Sequence, residues 1–347
     1  MSATTAIVGE MTTTATTTIT ATTMVEEKRP MPELPWKHTY RQGFATIGEG
    51  RCREPFSMYY ELHGTGPKKV ALLMGMNSPC QAWDYQASDE YTPLDETESR
   101  GVTTHFGAQG EYTVLTFDAR GVGWTGGSWD WYNSEDWARD VIDLLDHLGW
   151  TQDVHAVGHS AGGQALLKTL LLSPERFRSA ALLNTTAGGI RPFTGPWVFI
   201  SNLFVSDKSK QMERLMRINY TENWLNEKPE DGSYNTNFEK LQARMIARNS
   251  RTKPQTAGSL VSQAVASLRH WVSANDLYKI KASGIPTLVV SNSWDNYAYL
   301  SHSQYLNDML ESWKFVVYED TGHNVPTSRH KELNQLLSDF WKHADNV

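Results

Sequence analysis

Gly158-His159-Ser160-Ala161-Gly162 is the stretch on which the fold turns. An apolar run, Val154 to Val157, leads into it. Ala165, Leu166, Leu167 and Leu170 follow, on a predicted helix from Ser160 to about Leu172, with Pro174 just beyond its end. A serine flanked by glycines on a sharp strand-to-helix turn is the G-x-S-x-G pattern of a nucleophile elbow. The glycines are needed because side chains at 158 or 162 would collide with neighbouring backbone. The turn lifts the hydroxyl clear of the sheet and aims the free N–H groups of the helix at the reacting atom. A helix-capping serine is the plain alternative, and the strand–turn–helix setting favours the nucleophile.

Outward from the elbow, strand-like and helix-like segments alternate from about Arg41. Ser57–Leu62, Val70–Met74, Tyr112–Phe117, Val154–Val157, Ala180–Leu183, Thr287–Val290 and Lys314–Tyr318 read as strands. Several are short and continuously apolar, which predicts an α/β fold with a mostly parallel sheet covered on both faces. Ser134 reads as the N-cap of a helix that carries Trp137, Val141, Leu144, Leu145 and Leu148 on one face and stops at Gly149. Between about 191 and 280 the alternation breaks. Lys210–Tyr220, Phe238–Arg248 and Gly258–Trp271 have helical character, and no convincing strand interrupts them. This predicts helices inserted over the sheet. Residues 1–30, rich in threonine and alanine, have too few large side chains to offset their ordering entropy and are expected to be a disordered tail. The expected division is therefore tail 1–30, first part of the core 31–190, helical insertion 191–280 and second part of the core 281–347.

Composition narrows the partners. The formal net charge is -7 and no lysine or arginine cluster tracks phosphates, which argues against nucleic acid. Two cysteines, Cys52 and Cys80, cannot form a disulfide framework, so a reduced intracellular, cytoplasmic setting is expected. Apolar stretches fall short of the roughly 20 residues that span a bilayer, and the N-terminus lacks the basic start and apolar middle of a signal peptide. Thirteen tryptophans suggest aromatic-lined cavities as well as core filling.

A serine hydroxyl needs a base, and the base needs a group that holds its tautomer. His323, in Asp320-Thr321-Gly322-His323-Asn324-Val325-Pro326, follows the last apolar strand, where it can reach the elbow. His302 and His330 read as helix or surface histidines. Asp295 lies just past the preceding strand. It could simply cap a helix over Asn296–Met309, but the order serine, aspartate, histidine suits an elbow hydrolase. After Ala180–Leu183 stands Asn184, which cannot carry the charge that stabilises an imidazolium. The oxyanion formed during attack needs N–H donors. These are expected from the backbone of Ala161 and from the loop Gly75-Met76-Asn77-Ser78, with Met76 ahead of Asn77. No metal cluster is visible, and no cofactor is expected.

With these residues in place, the chain resembles the α/β-hydrolase superfamily, in the branch with an inserted helical lid that includes esterases, enol-lactonases, C–C bond hydrolases and epoxide hydrolases. The resemblance runs from about 42 to 342. It rests on Leu72-Leu73-Met74-Gly75, on Phe117-Asp118-Ala119-Arg120-Gly121-Val122-Gly123, on the elbow, on Pro286–Asp295 and on Gly322-His323. It implies an eight-stranded sheet with the lid after the sixth strand. Met74 departs from the family's usual histidine, which braces the oxyanion loop. Trp124-Thr125 replaces small polar residues, and Ser88–Thr103 is an acidic insertion expected at the surface near the pocket mouth. Serine at the elbow, where epoxide- and halide-processing members carry aspartate, points to acyl transfer.

The expected function is that of a serine hydrolase acting on a lipophilic carbonyl substrate (ester, lactone or similar) through an acyl-enzyme. The alternatives are a ligand-binding receptor on the same scaffold and an acyltransferase. Asn77, His159, Trp197, Trp224, Trp271 and Trp294 are candidate substrate contacts, together with Phe199, Phe204, Met212 and Met216. The apolar run Phe193–Val205 could instead rest on a membrane surface.

Overall fold

The computed structural model describes Pro32, Leu34 and residues 38–88, 105–127, 131–190, 192–202 and 204–347. The expected tail, and the acidic insertion apart from Ser88, lie outside these.

Eight strands form one sheet: β1 (Tyr40–Ile47), β2 (Phe56–His63), β3 (Lys68–Leu73), β4 (Tyr112–Phe117), β5 (Val154–His159), β6 (Phe177–Leu183), β7 (Thr287–Asn292) and β8 (Lys314–Tyr318). Their spatial order is β1-β2-β4-β3-β5-β6-β7-β8. β2 runs antiparallel to both neighbours, and all other pairs are parallel. β1 is the strand that sequence reading did not single out. It is an edge strand with mixed, half-exposed side chains, so it lacks the continuous apolar signal of the buried ones.

The parallel strands alternate their side chains between two cores. Ala71, Leu73, Leu115, Ala156, Leu182 and Val289 face one. Val70, Leu72, Val114, Val157, Leu183 and Val290 face the other. The first core is closed by α2 (Ser134–His147) and α3 (Ala161–Leu172). The second is closed by Trp83, by Phe106 and by Phe340 and Trp341 of α12 (His330–Asp345). The cap of α2 lies one residue earlier than expected. Asn133 accepts N–H bonds from Glu135 and Asp136 while Asp136 accepts from the Asn133 N–H, a reciprocal box worth about 1 kcal/mol.

Between β6 and β7 lie α4 (Thr194–Asn202), α5 (Lys208–Asn219), α6 (Glu222–Asn226), α7 (Asn237–Arg251), α8 (Ala257–Leu268) and α9 (Ala274–Ala282). Met216, Tyr220, Leu225 and Leu241 give this insertion a small core of its own. α9, expected within the insertion, instead buries Leu277 and Ile280 in the first sheet core. The remaining helices are the single turns α1 (Asp84–Ala87) and α11 (Val325–Ser328), and α10 (Leu300–Leu310). Among the described residues, no helix is long and apolar enough to cross a membrane.

Candidate active site

The elbow is built by steric exclusion. β5 runs straight into α3 through Ser160, whose φ of 55° and ψ of -121° are strained values for a residue with a side chain. A Cβ on Gly162 would lie 2.1 Å from the Leu73 carbonyl oxygen, and one on Gly158 would lie 2.7 Å from that of Gly162. Only glycine lets the helix descend this close to the sheet. The strained turn is held by bonds from Ser160 N–H to Leu183 O (2.9 Å) and from Thr185 Oγ1 to Ser160 O (2.7 Å).

Two loops at the same sheet edge meet beside it. The loop after β8 carries His323 and the loop after β7 carries Asp295. His323 Nδ1 lies 2.9 and 2.8 Å from the two Asp295 carboxylate oxygens. Asp295 Oδ1 accepts the N–H groups of Tyr297 (2.8 Å) and Ala298 (3.0 Å), and Oδ2 accepts Asn184 Nδ2 (2.9 Å). The plain alternative, that Asp295 caps a helix, does not hold, because α10 starts only at Leu300 and its N-cap is Tyr299. Burial alone would raise the Asp295 carboxyl. The charge and hydrogen bond of His323 and the two backbone N–H groups outweigh it and hold the group below its ordinary range, hence ionised.

His159 packs behind His323. Its ring lies 4.9 Å from that of His323, and its Nε2 is 2.9 Å from the His323 carbonyl oxygen. Burial, then the neighbouring His323 charge, pushes its pKa down to about 3. The neutral ring must therefore donate from Nε2. A substrate-contact role was expected for this side chain. It is 2% exposed and bonded to the His323 backbone, so it is packed behind that residue and not on a pocket wall. No hydrogen bond joins Ser160 Oγ to His323, and such bonds often tighten only around substrate.

The loop after β3 lies against the nucleophile, since a Cβ on Gly75 would come 3.0 Å from Ser160 Cβ and 3.4 Å from its Oγ. The Asn77 N–H is already bonded to Gln263 Oε1 (2.9 Å). That leaves Met76 as the candidate donor from this loop. Ala161 opens α3, so its N–H has no partner within the helix. Cys80 N–H bonds to Asp118 Oδ1 (2.7 Å), and Trp124 N–H bonds to Asp118 Oδ2 (2.8 Å), so the buried Asp118 fixes the exit of the oxyanion loop. Burial pushes the pKa of that carboxyl up to about 7. Arg120 forms a two-point ion pair with Asp140 of α2 (2.6 and 2.9 Å).

The insertion is tied to the loops that carry His323 and Asp295. Asn324 Nδ2 bonds to Tyr220 Oη (2.7 Å) and Asn296 Nδ2 to Ile218 O (3.2 Å). Of the tryptophans expected to line a pocket, Trp224 is stacked on Tyr220. Trp294 is partly exposed beside Asp295. Trp197 and Trp271 are exposed, and so are Phe193, Ile200 and Phe204 around α4. Sequence reading passed over Gln263 and Tyr297. Asn184 had been weighed only as an acid, although a donor to the acid needs no charge.

Residues 99–327 match the model of the alpha/beta hydrolase fold family. The chain belongs to that family. A curated relative, RutD of Azorhizobium caulinodans, by name a candidate carbamate hydrolase, is 28% identical over 127 residues, or 37% of this chain and 40% of that protein. The match thus spans about two fifths of the relative's length. Among solved structures, an esterase of Thermogutta terrifontis aligns with a TM-score of 0.63 at 18% identity over 88% of this chain and 99% of its own. A meta-cleavage product hydrolase of Pseudomonas fluorescens aligns with a TM-score of 0.63 at 18% identity over 87% and 98%. At this identity these two structures speak to the fold alone.

Proposed function

We propose that this alpha/beta hydrolase is a serine hydrolase that cleaves carboxylic esters or lactones through an acyl-enzyme. The observation that carries the reading is the His323–Asp295 pair, its carboxylate held by three further N–H donors, at the sheet edge where Ser160 sits on a strained elbow. Ser160 Oγ attacks the carbonyl carbon as His323 Nε2 takes its proton. The oxyanion is received by the N–H groups of Met76 and Ala161. Collapse expels the alkoxide, which takes the proton from His323. A water deprotonated by His323 then releases the acid and restores Ser160. The Asp295 carboxylate stabilises the imidazolium in both halves. The helices between β6 and β7 form the lid of the site in this reading, with Trp224 and Trp294 as candidate contacts for an apolar substrate. A carbamate presents the same carbonyl to the same nucleophile, and the RutD relative makes it the second substrate class to test.

The test is labelling by a fluorophosphonate together with turnover of a short p-nitrophenyl ester and a matched carbamate. S160A should abolish both labelling and turnover. Labelling that persists in S160A at the wild-type level refutes the assignment, and labelling without turnover of any substrate indicates a receptor.

A further inference from the structure

We propose that Gln263, on the inserted helix α8, is a positioning residue for the oxyanion hole. This rests on the acyl-transfer reading above. The oxyanion loop carries Met74 where the resembling family has a bracing histidine, so its geometry must be secured in another way. Its entry is set by the packing of Gly75 on Ser160, and its exit by the bond from Cys80 N–H to Asp118. The middle of the loop is clamped across a sequence separation of 186 residues by the bond from Asn77 N–H to Gln263 Oε1 at 2.9 Å.

Asn77 has a φ of 53°, in the left-handed region that a residue with a side chain occupies at a cost. The Met76 carbonyl accepts a bond from Ser78 Oγ at 3.3 Å. The peptide between Met76 and Asn77 is therefore gripped at both its N–H and its C=O, one peptide away from the candidate donor, the Met76 N–H. Gln263 is 2% exposed, and its Oε1 also receives Gln255 Nε2 at 3.2 Å, which holds the side chain in place. Gln263 lines a cavity of about 30 Å³ together with Gly75 of the loop and Ala161, one of the two expected donors. One turn earlier, Ser259 Oγ bonds to Gly121 O at 2.9 Å and seats α8 on the core; it also accepts Gln255 Nε2 at 3.2 Å, the amide that reaches Gln263, while the bond to the Asn77 N–H is made by Gln263. The structure thus couples the seating of α8 to the shape of the hole, since lifting the helix would release the Asn77 N–H and the peptide beside the donor.

Q263M, nearly isosteric but without an acceptor, is compared with S259A, and melting temperatures identify the folded variants. The probes are a p-nitrophenyl ester and a trifluoromethyl ketone, whose adduct with Ser160 carries a stable oxyanion. In Q263M, kcat/KM should fall by about 10- to 100-fold, below the loss for a direct donor. Ketone affinity should fall by the same factor while KM changes little. S259A should change ketone affinity by less than about threefold, as a lost anchor outside the hole should. A folded Q263M with wild-type ketone affinity overturns the inference, and so does an equal loss in S259A, which would make Gln263 a general anchor of the helix. Hydrogen exchange on the wild type supplies a readout independent of folding in the variants. The Asn77 amide should be protected and should exchange together with α8; rapid exchange while α8 is protected also overturns the inference. A wild type that reacts with neither probe refutes the acyl-transfer reading instead, while the exchange result still reports on the clamp.

Discussion

Replacing Asp295 by asparagine removes one charge while leaving nearly every atom in place. Asp295 Oδ1 holds two backbone N–H groups, from Tyr297 and Ala298, so in D295N the carboxamide oxygen is directed to that position. Its NH2 must then occupy the place of Oδ2, facing Asn184 and His323. The Asn184 Oδ1 is buried and without a partner. Asn184 can therefore turn its amide over and accept from the new NH2, which avoids a buried donor–donor clash of about 1–3 kcal/mol. At His323, however, the NH2 requires Nδ1 to accept. Nδ1–H could still reach the oxygen at Oδ1 (2.9 Å), but only against the NH2 at 2.8 Å and without the carboxylate charge, so the ring shifts toward the tautomer protonated on Nε2, which has no lone pair to offer Ser160. The fold should survive and catalysis should not. Turnover is expected to drop by about 10⁴-fold, the scale of this substitution in such triads, or roughly 5.5 kcal/mol of transition-state stabilisation. Steady-state kcat on a short p-nitrophenyl ester, beside a melting curve, reads both quantities. A folded D295N that keeps kcat within about tenfold of wild type would show that Asp295 is not the orienting acid.

Three further outcomes follow from the same geometry. N184A deletes one donor to the ionised carboxylate, a bond worth about 1.5–3 kcal/mol, so kcat should fall about tenfold or more with KM unchanged; no change would mean that the bond does not orient Asp295. G75A places a methyl 3.0 Å from Ser160 Cβ, an overpacking of about 1–3 kcal/mol, and should lower kcat/KM about tenfold or more with little change in melting temperature; wild-type kinetics would place the loop elsewhere during reaction. Asp84, whose pKa burial pushes up to about 8, retains its proton in the folded chain well above the pH at which it loses it when unfolded. Its contribution to stability is fully present below the unfolded pKa and is lost as pH rises through about 8. The melting temperature of the wild type should accordingly fall more steeply between about pH 4 and 8 than that of D84N; parallel curves would contradict the buried neutral carboxyl.

The alternating strands, the elbow and the residues after β7 and β8 were legible in the sequence because each rests on a local cause. Buried parallel strands need continuous apolar runs, the strained turn needs glycines, and Asp295 and His323 each stand shortly after such a run. Local reading faltered where the signal was weak or shared. β1 is an edge strand of mixed polarity, and α9 resembles the inserted helices until Leu277 and Ile280 are seen to enter the sheet core. What only the tertiary structure decided were contacts between residues far apart in the chain: Asn184 on Asp295, His159 under the His323 carbonyl, and Gln263 on the Asn77 N–H. A neutral amide or a buried imidazole has no periodicity or spacing to mark it. Its role exists only once folding brings a donor and an acceptor within hydrogen-bonding distance.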